Sequence, residues 1–221
     1  MKWTLPLVAA VCVATIGWSL RPLFEAEAPS RIEVEGARPV RPPEFDRIMA
    51  VLDVRAPGWG MELREHVAQA IAEESAVAGL DPMLVMAVIE VESEFQQEAT
   101  SVVGARGLMQ LRPTTLMWVA EREGVKLSRA ELESDPALNV RLGVRYLKYL
   151  KDLFRGRLDL TLMAYNAGPN RLKAGLKEKS TDQWVNYVRA VRREYAGLKR
   201  SLGESGDWTL ATRESVTATQ Q

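Results

Sequence analysis

The chain has 221 residues, 47% of them apolar, and equal numbers of acidic and basic side chains, so it can bury one ordinary domain core and is not globally disordered. One cysteine, Cys12, and one histidine, His66, exclude an intramolecular disulfide, a Cys/His zinc cluster and any catalytic centre needing two imidazoles. The balanced charge is nevertheless segregated. Residues 61–100 carry nine Asp or Glu and one Arg, whereas residues 141–200 carry fifteen Lys or Arg and five Asp or Glu.

From Trp3 to Leu20 the chain has no charged residue. As a helix this run is about 27 Å long, close to the hydrocarbon core of a bilayer. It reads as a signal peptide or a retained anchor (residues 1–20), with the anchor slightly favoured. Ala26-Glu27-Ala28 offers a cleavage site far from its end. Residues 21–43 contain Pro22, Pro29, Pro39, Pro42 and Pro43 without periodicity and read as a linker.

Helical signals then dominate. Phe45, Ile48, Met49 and Leu52 fall on one helix face. A second helix spans 61–78 and stops at Gly79, with His66 on an exposed face among Glu62, Glu65 and Gln69. Asp81-Pro82 opens the third, with a capping side chain and a proline in the first turn. Residues 99–112 look irregular or strand-like. Helices are expected at about 114–123, after the capping box Ser128-x-x-Glu131, from Asp135-Pro136 to about Phe154, at about 159–166, and at about 182–199. Ala167-Gly168-Pro169 reads as a stop, and the polar tail at 201–221 is expected to fray. The fold class is all-α, with the domain over 44–200.

The stretch Ala87 to Phe95 places glutamates at 90, 92 and 94. Their alternation would suit a strand, but the Asp-Pro start favours a helix. On a helix of about 100° per residue, Val85, Val88, Ile89 and Phe95 all lie within about 60° of Glu92. Glu90 and Glu94 fall on the opposite side with Met83 and Ala87. Glu92 therefore stands in an apolar wall, where ionisation is costly and the pKa rises. That is the condition for a general acid near neutral pH. A buried glutamate held by a structural partner satisfies the same pattern.

The residues that follow resemble the signature of soluble-type lytic transglycosylases, relatives of goose-type lysozyme. Glu92-Ser93, Ser101, Gly104-Ala105-x-Gly107-Leu108-Met109-Gln110 and Pro113 match in register. A second block matches at Asp135, Asn139, Gly143 and Tyr146-Leu147, and a third, Ala164 to Pro169, is shared outright. The resemblance covers about residues 65–195 and implies a lysozyme-like fold.

It also implies cleavage of the β-1,4 bond between N-acetylmuramic acid and N-acetylglucosamine in peptidoglycan, with a 1,6-anhydro product and no cofactor. Glu92 would be the single acid and base. Ser101, Met109 and Gln110 would line the sugar cleft, Tyr165 would contact the acid, and Asn166 would hold the adjoining turn. Tyr187 matches the family's last block, whereas Gln183 stands where the family often has a glutamate that helps build the cleft. Other readings are a muramidase of hydrolase type and a peptidoglycan-binding scaffold without turnover.

The expected partners are glycan strands, the inner membrane through residues 3–20 if the run is kept, and a wall-spanning machine. The expected location is the periplasmic side of a bacterial inner membrane. Nucleic acid is disfavoured, because the basic stripe Arg141, Arg145, Lys148, Lys151 and Arg155 lacks interleaved aromatics. That stripe reads as a solvated face, with anionic wall polymers as the alternative.

Overall fold

The computed structural model describes residues 41, 42 and 44–211. The hydrophobic run at 3–20, the linker apart from Arg41 and Pro42, and the tail beyond Ala211 lie outside the described residues. Helices α1 (Phe45–Arg55), α2 (Met61–Ala78) and α3 (Pro82–Ser93) come first. An irregular segment leads to α4 (Pro113–Arg122), α5 (Arg129–Ser134) and α6 (Pro136–Leu153). Then come α7 (Leu158–Ala167), α8 (Pro169–Lys177), α9 (Asp182–Ser201) and a 3-10 turn at Trp208–Ala211. Among the described residues no strand forms; only isolated bridges pair Arg106 with Thr100 and with Leu111.

The helix starts follow from capping chemistry. The Asp81 carboxylate accepts the Met83 N–H, and Asp135 accepts those of Ala137 and Leu138, in each case before a first-turn proline. Ser128 and Glu131 form the reciprocal capping box. Gly79, at φ +60°, ends α2 in the left-handed conformation that costs glycine little.

One helix differs from expectation. Gly168-Pro169 ends α7, yet Pro169 also opens α8, because a proline in the first turn lacks only an N–H that has no helical partner.

Helix α3 is central. Every residue from Pro82 to Ile89 is buried, including Met83 and Ala87 on the side expected to be polar. Only its last turn has a wet side, so the apolar wall around Glu92 extends further than one stripe. Each buried Leu, Ile, Val or Met side chain contributes roughly 1.5–3 kcal/mol, which fixes α3 firmly between α2 and α9. Its N-terminus is tied as well: Asp81 Oδ2 accepts from the Tyr195 hydroxyl at 3.1 Å and from Lys199 Nζ at 3.0 Å.

The charge segregation resolves into the packing of α2 on α6. Arg145 grips Glu74 with two nitrogens, at 2.7 and 2.9 Å, while Arg141 reaches Glu73 at 2.6 Å. Lys148 pairs with Asp152, and Lys151 donates to the Ala78 and Gly79 carbonyls that end α2. Four of the five cations in the stripe thus have partners inside the domain, and the stripe is neither a plain solvated face nor an open site for anionic polymers.

The tail also departs from expectation. Ala211 is fully buried and its carbonyl accepts the Asp81 N–H at 3.0 Å. Trp208 supplies the apolar area that a polar segment needs in order to dock, packing edge-on to Tyr195.

Candidate active site

Glu92 occupies the last turn of α3, where the helix leaves the core. The chain turns at once: Glu94 and Phe95 both have left-handed backbones, at φ +51° and +59°. Phe95 is buried, edge-on to Trp59, and this burial offsets a conformation that non-glycine residues seldom adopt.

The segment after this turn is pinned from two sides. The Ser93 hydroxyl donates to the Leu108 carbonyl at 2.9 Å. From α6, Asn139 accepts the Met109 N–H at 2.9 Å and donates to the Arg106 carbonyl at 3.1 Å. Gly107, at φ +77°, lets the Asn139 amide approach so closely that a Cβ there would lie 2.6 Å from Nδ2. The Gln110 amide nitrogen donates to the Ala99 and Gly107 carbonyls. With both donors committed, its oxygen remains for other groups. Ser101 closes the tip of the segment by accepting the Ala105 N–H at 3.0 Å.

A cavity of about 410 Å³ lies between this segment, α4, α6 and the α7–α8 junction. Glu92, Ser101, Gln110, Tyr165 and Asn166 share its wall. Three expected residues are placed differently. Met109 is fully buried; its side chain fills the space beside Gly143, where a Cβ would meet Sδ at 2.4 Å. It is a core residue that shapes the cavity from behind. Tyr165 donates its hydroxyl to the Met109 carbonyl at 2.7 Å, and the phenol that reaches the acid is Tyr187, 2.7 Å from Glu92 Oε1. Gln183 is exposed and is not among the residues lining the cavity.

Burial raises the Glu92 pKa to about 7, against a smaller lowering by the Tyr187 hydrogen bond. The same burial, with the nearby Glu92 charge, pushes both phenols well above their usual range, so they remain hydrogen-bond donors. Among the described residues lining the cavity, Glu92 is the only carboxylate.

Residues 69–187 match the family model described as the transglycosylase SLT domain. The chain belongs to this family. A transglycosylase of Enterobacteria phage PRD1 is 38% identical over 112 residues, covering 51% of this chain and 38% of its own. Membrane-bound lytic murein transglycosylase F of Thiobacillus denitrificans is 34% identical over 184 residues, or 76% of this chain and 36% of that protein.

An inactive glutamate-to-glutamine mutant of the lytic transglycosylase Slt of Pseudomonas aeruginosa superposes with a TM-score of 0.58 at 29% identity. The superposition covers 73% of this chain and 28% of that one. The 70 kDa soluble lytic transglycosylase of Escherichia coli, at 23% identity and TM-score 0.58, shares the fold. The chain spans well under half the length of each of these relatives.

Within the SLT domain, Tyr146 is a further wall residue, one that the second block of the resemblance matched without giving it a site role. It is half-buried at the edge of the apolar stripe, and a phenol at such an edge is the available signal. Asn139 and Ser93 act one step back, by fixing the backbone that carries Gln110.

Proposed function

We propose that this SLT domain is a peptidoglycan lytic transglycosylase in which Glu92 is the single acid and base. The observation that carries the reading is Glu92 itself: a carboxyl group whose pKa burial lifts to about 7, alone of its kind among the described residues in the wall of a polar cavity. Glycosidases working by two carboxylates need the second within about 5–9.5 Å. A lone acid suits a reaction in which the sugar supplies its own nucleophile.

Protonated Glu92 gives its proton to the glycosidic oxygen as the bond to muramic C1 breaks. The carboxylate so formed takes the proton of the C6 hydroxyl, and O6 closes onto C1. One bond forms, one breaks, and Glu92 ends protonated again with no water consumed. Tyr187 holds Oε1, which leaves Oε2 to carry the transferred proton. The phenol also stabilises the carboxylate in the second half of the reaction.

The hydrophobic run at 3–20 and the relative named as membrane-bound support a location on the periplasmic face of an inner membrane, anchored or exported. Among the described residues no helix is long and apolar enough to cross a membrane.

Digestion of purified sacculi followed by mass spectrometry tests the reaction. The expected fragments carry 1,6-anhydromuramic ends, lighter by one water than hydrolytic products. Recovery of reducing ends alone would reassign the domain as a muramidase. Binding to sacculi without any release would make it a scaffold.

A further inference from the structure

Four aromatic rings run in sequence from the acid to the surface. Tyr165 lies 5.7 Å from Tyr146, Tyr146 stacks on Tyr149 at 6.2 Å and 18°, and Trp118 meets Tyr149 edge-on at 4.9 Å. The Arg122 guanidinium lies over Trp118 and Tyr149, at 5.7 and 5.3 Å from their centroids. This brace stiffens the outer pair.

A second cavity, of about 370 Å³, opens against Trp118, Tyr146 and Tyr149. It shares Thr114, Thr115, Tyr146 and Pro169 with the Glu92 cavity, so the two are adjoining stretches of one cleft. Packing of α4 does not account for Trp118. Leu116, Val119 and Ala120 already fasten that helix and are at most 2% exposed, whereas Trp118 is 39% exposed. A large ring left open to solvent beside a polar-rimmed cavity is a binding feature rather than core.

We infer that Trp118 and Tyr149 form a distal saccharide subsite, taking an N-acetylhexosamine of the same glycan strand that Glu92 engages. The assignment rests on reading the cleft as a glycan site. A pyranose presents a face of C–H groups that packs on an aromatic ring, with its hydroxyl and acetamido groups at the edge. Thr114, Thr115 and Asn170 supply polar groups at that edge. The subsite would favour long strands over short fragments, because only a long strand reaches both Glu92 and Trp118.

The test uses β-1,4-linked N-acetylglucosamine trimer and hexamer with the full chain carrying Glu92→Gln, so that no turnover intervenes. Calorimetry should show tighter binding of the hexamer. Adding Trp118→Ala should weaken the hexamer about ten-fold and the trimer much less, while Trp118→Phe should retain most of the affinity. The Trp118 indole N–H resonance, identified by its loss in the Phe variant, should shift with the hexamer.

Unchanged hexamer affinity in a folded Trp118→Ala protein, or an indole resonance that stays still, overturns the subsite. If the unmutated chain meanwhile releases anhydro fragments from sacculi, the subsite alone falls. If no fragments are released but Trp118 responds, the subsite stands and the proposed reaction falls.

Discussion

The Tyr187 hydroxyl donates to Glu92 Oε1 across 2.7 Å, joining α9 to the last turn of α3 over 95 positions of sequence. This bond favours the charged carboxylate, so removing it raises a pKa that burial has already lifted to about 7. Tyr187→Phe should therefore move the descending limb of the pH–rate profile to higher pH. It should also lower kcat, because the carboxylate loses its anchor. A descending limb that stays in place, measured by turbidity clearing of sacculi between pH 5 and 9, would mean that Tyr187 does not act on the acid.

Glu92→Gln keeps the shape of the side chain and removes the transferable proton. Loss of acid–base catalysis alone is typically worth ~10²–10⁴-fold, and one group here serves both steps, so lysis should be abolished. Glu90, paired with Arg55 at 3.2 Å, and the exposed Glu94 are absent from the cavity wall. Their glutamine variants should clear sacculi within a few-fold of the parent protein. Activity retained by Glu92→Gln and lost in either neighbour would reverse the assignment.

The same substitution should change stability with a definite sign. The folded pKa of Glu92, about 7, lies above the value of about 4.3 for an unfolded glutamate. The folded state therefore holds the proton more tightly. The stability this group contributes is complete below about pH 4 and is lost as pH rises through 7, by about 4 kcal/mol. Glu92→Gln cannot ionise, so its stability relative to the parent should climb by that order between pH 4 and pH 8. Urea unfolding at both ends of the range checks it, and a difference independent of pH would contradict the burial argument.

Helix starts were legible because their chemistry is local. Asp81-Pro82, Ser128 with Glu131 and Asp135-Pro136 all cap as their side chains dictate, whereas the helical period gave the Glu92 face only in part, since Met83 and Ala87 opposite it are buried too and Phe95 lies beyond the helix end. The contact of Tyr187 with Glu92 was not legible, since it depends on how α9 crosses α3. The family match of Tyr187 was visible, but its bonding partner was not.

The basic stripe misled for the same reason. Arg141 and Arg145 look free along their own helix and acquire Glu73 and Glu74 only once α2 packs beside it. Pro169 shows a local ambiguity, because a proline that ends one helix is equally suited to begin another.

Asn139 should prove indispensable to the cavity wall although it does not line it. Asn139→Ala removes the acceptor for the Met109 N–H and the donor to the Arg106 carbonyl. The buried Met109 N–H then lacks a partner, at a cost of roughly 2 kcal/mol, whereas the Arg106 carbonyl keeps the Leu111 N–H at 3.1 Å. The segment carrying Gln110 should loosen, and kcat/KM should fall further than stability does. Asn139→Asp keeps the acceptor and loses the donor, so an intermediate effect separates the two bonds. Parent-like kinetics in both variants would show that the clamp does not govern the site.

The docked tail gives the last prediction. Trp208 lies edge-on to Tyr195 at 5.7 Å, donates its indole N–H to Asp159 at 3.2 Å, and carries the Arg192 guanidinium 4.8 Å above its ring. Three residues later, the Ala211 carbonyl accepts the Asp81 N–H, the residue that caps the helix bearing Glu92. Trp208→Ala should free this segment and lower unfolding stability by about 2 kcal/mol. Trp208→Phe keeps the ring contact and loses one hydrogen bond, so its cost should be about 1 kcal/mol. Hydrogen exchange gives the sharper readout: in Trp208→Ala the Asp81 amide should lose protection well before the amides in the middle of α3. If that amide stays as protected as in the parent protein, the tail is not what covers the start of α3.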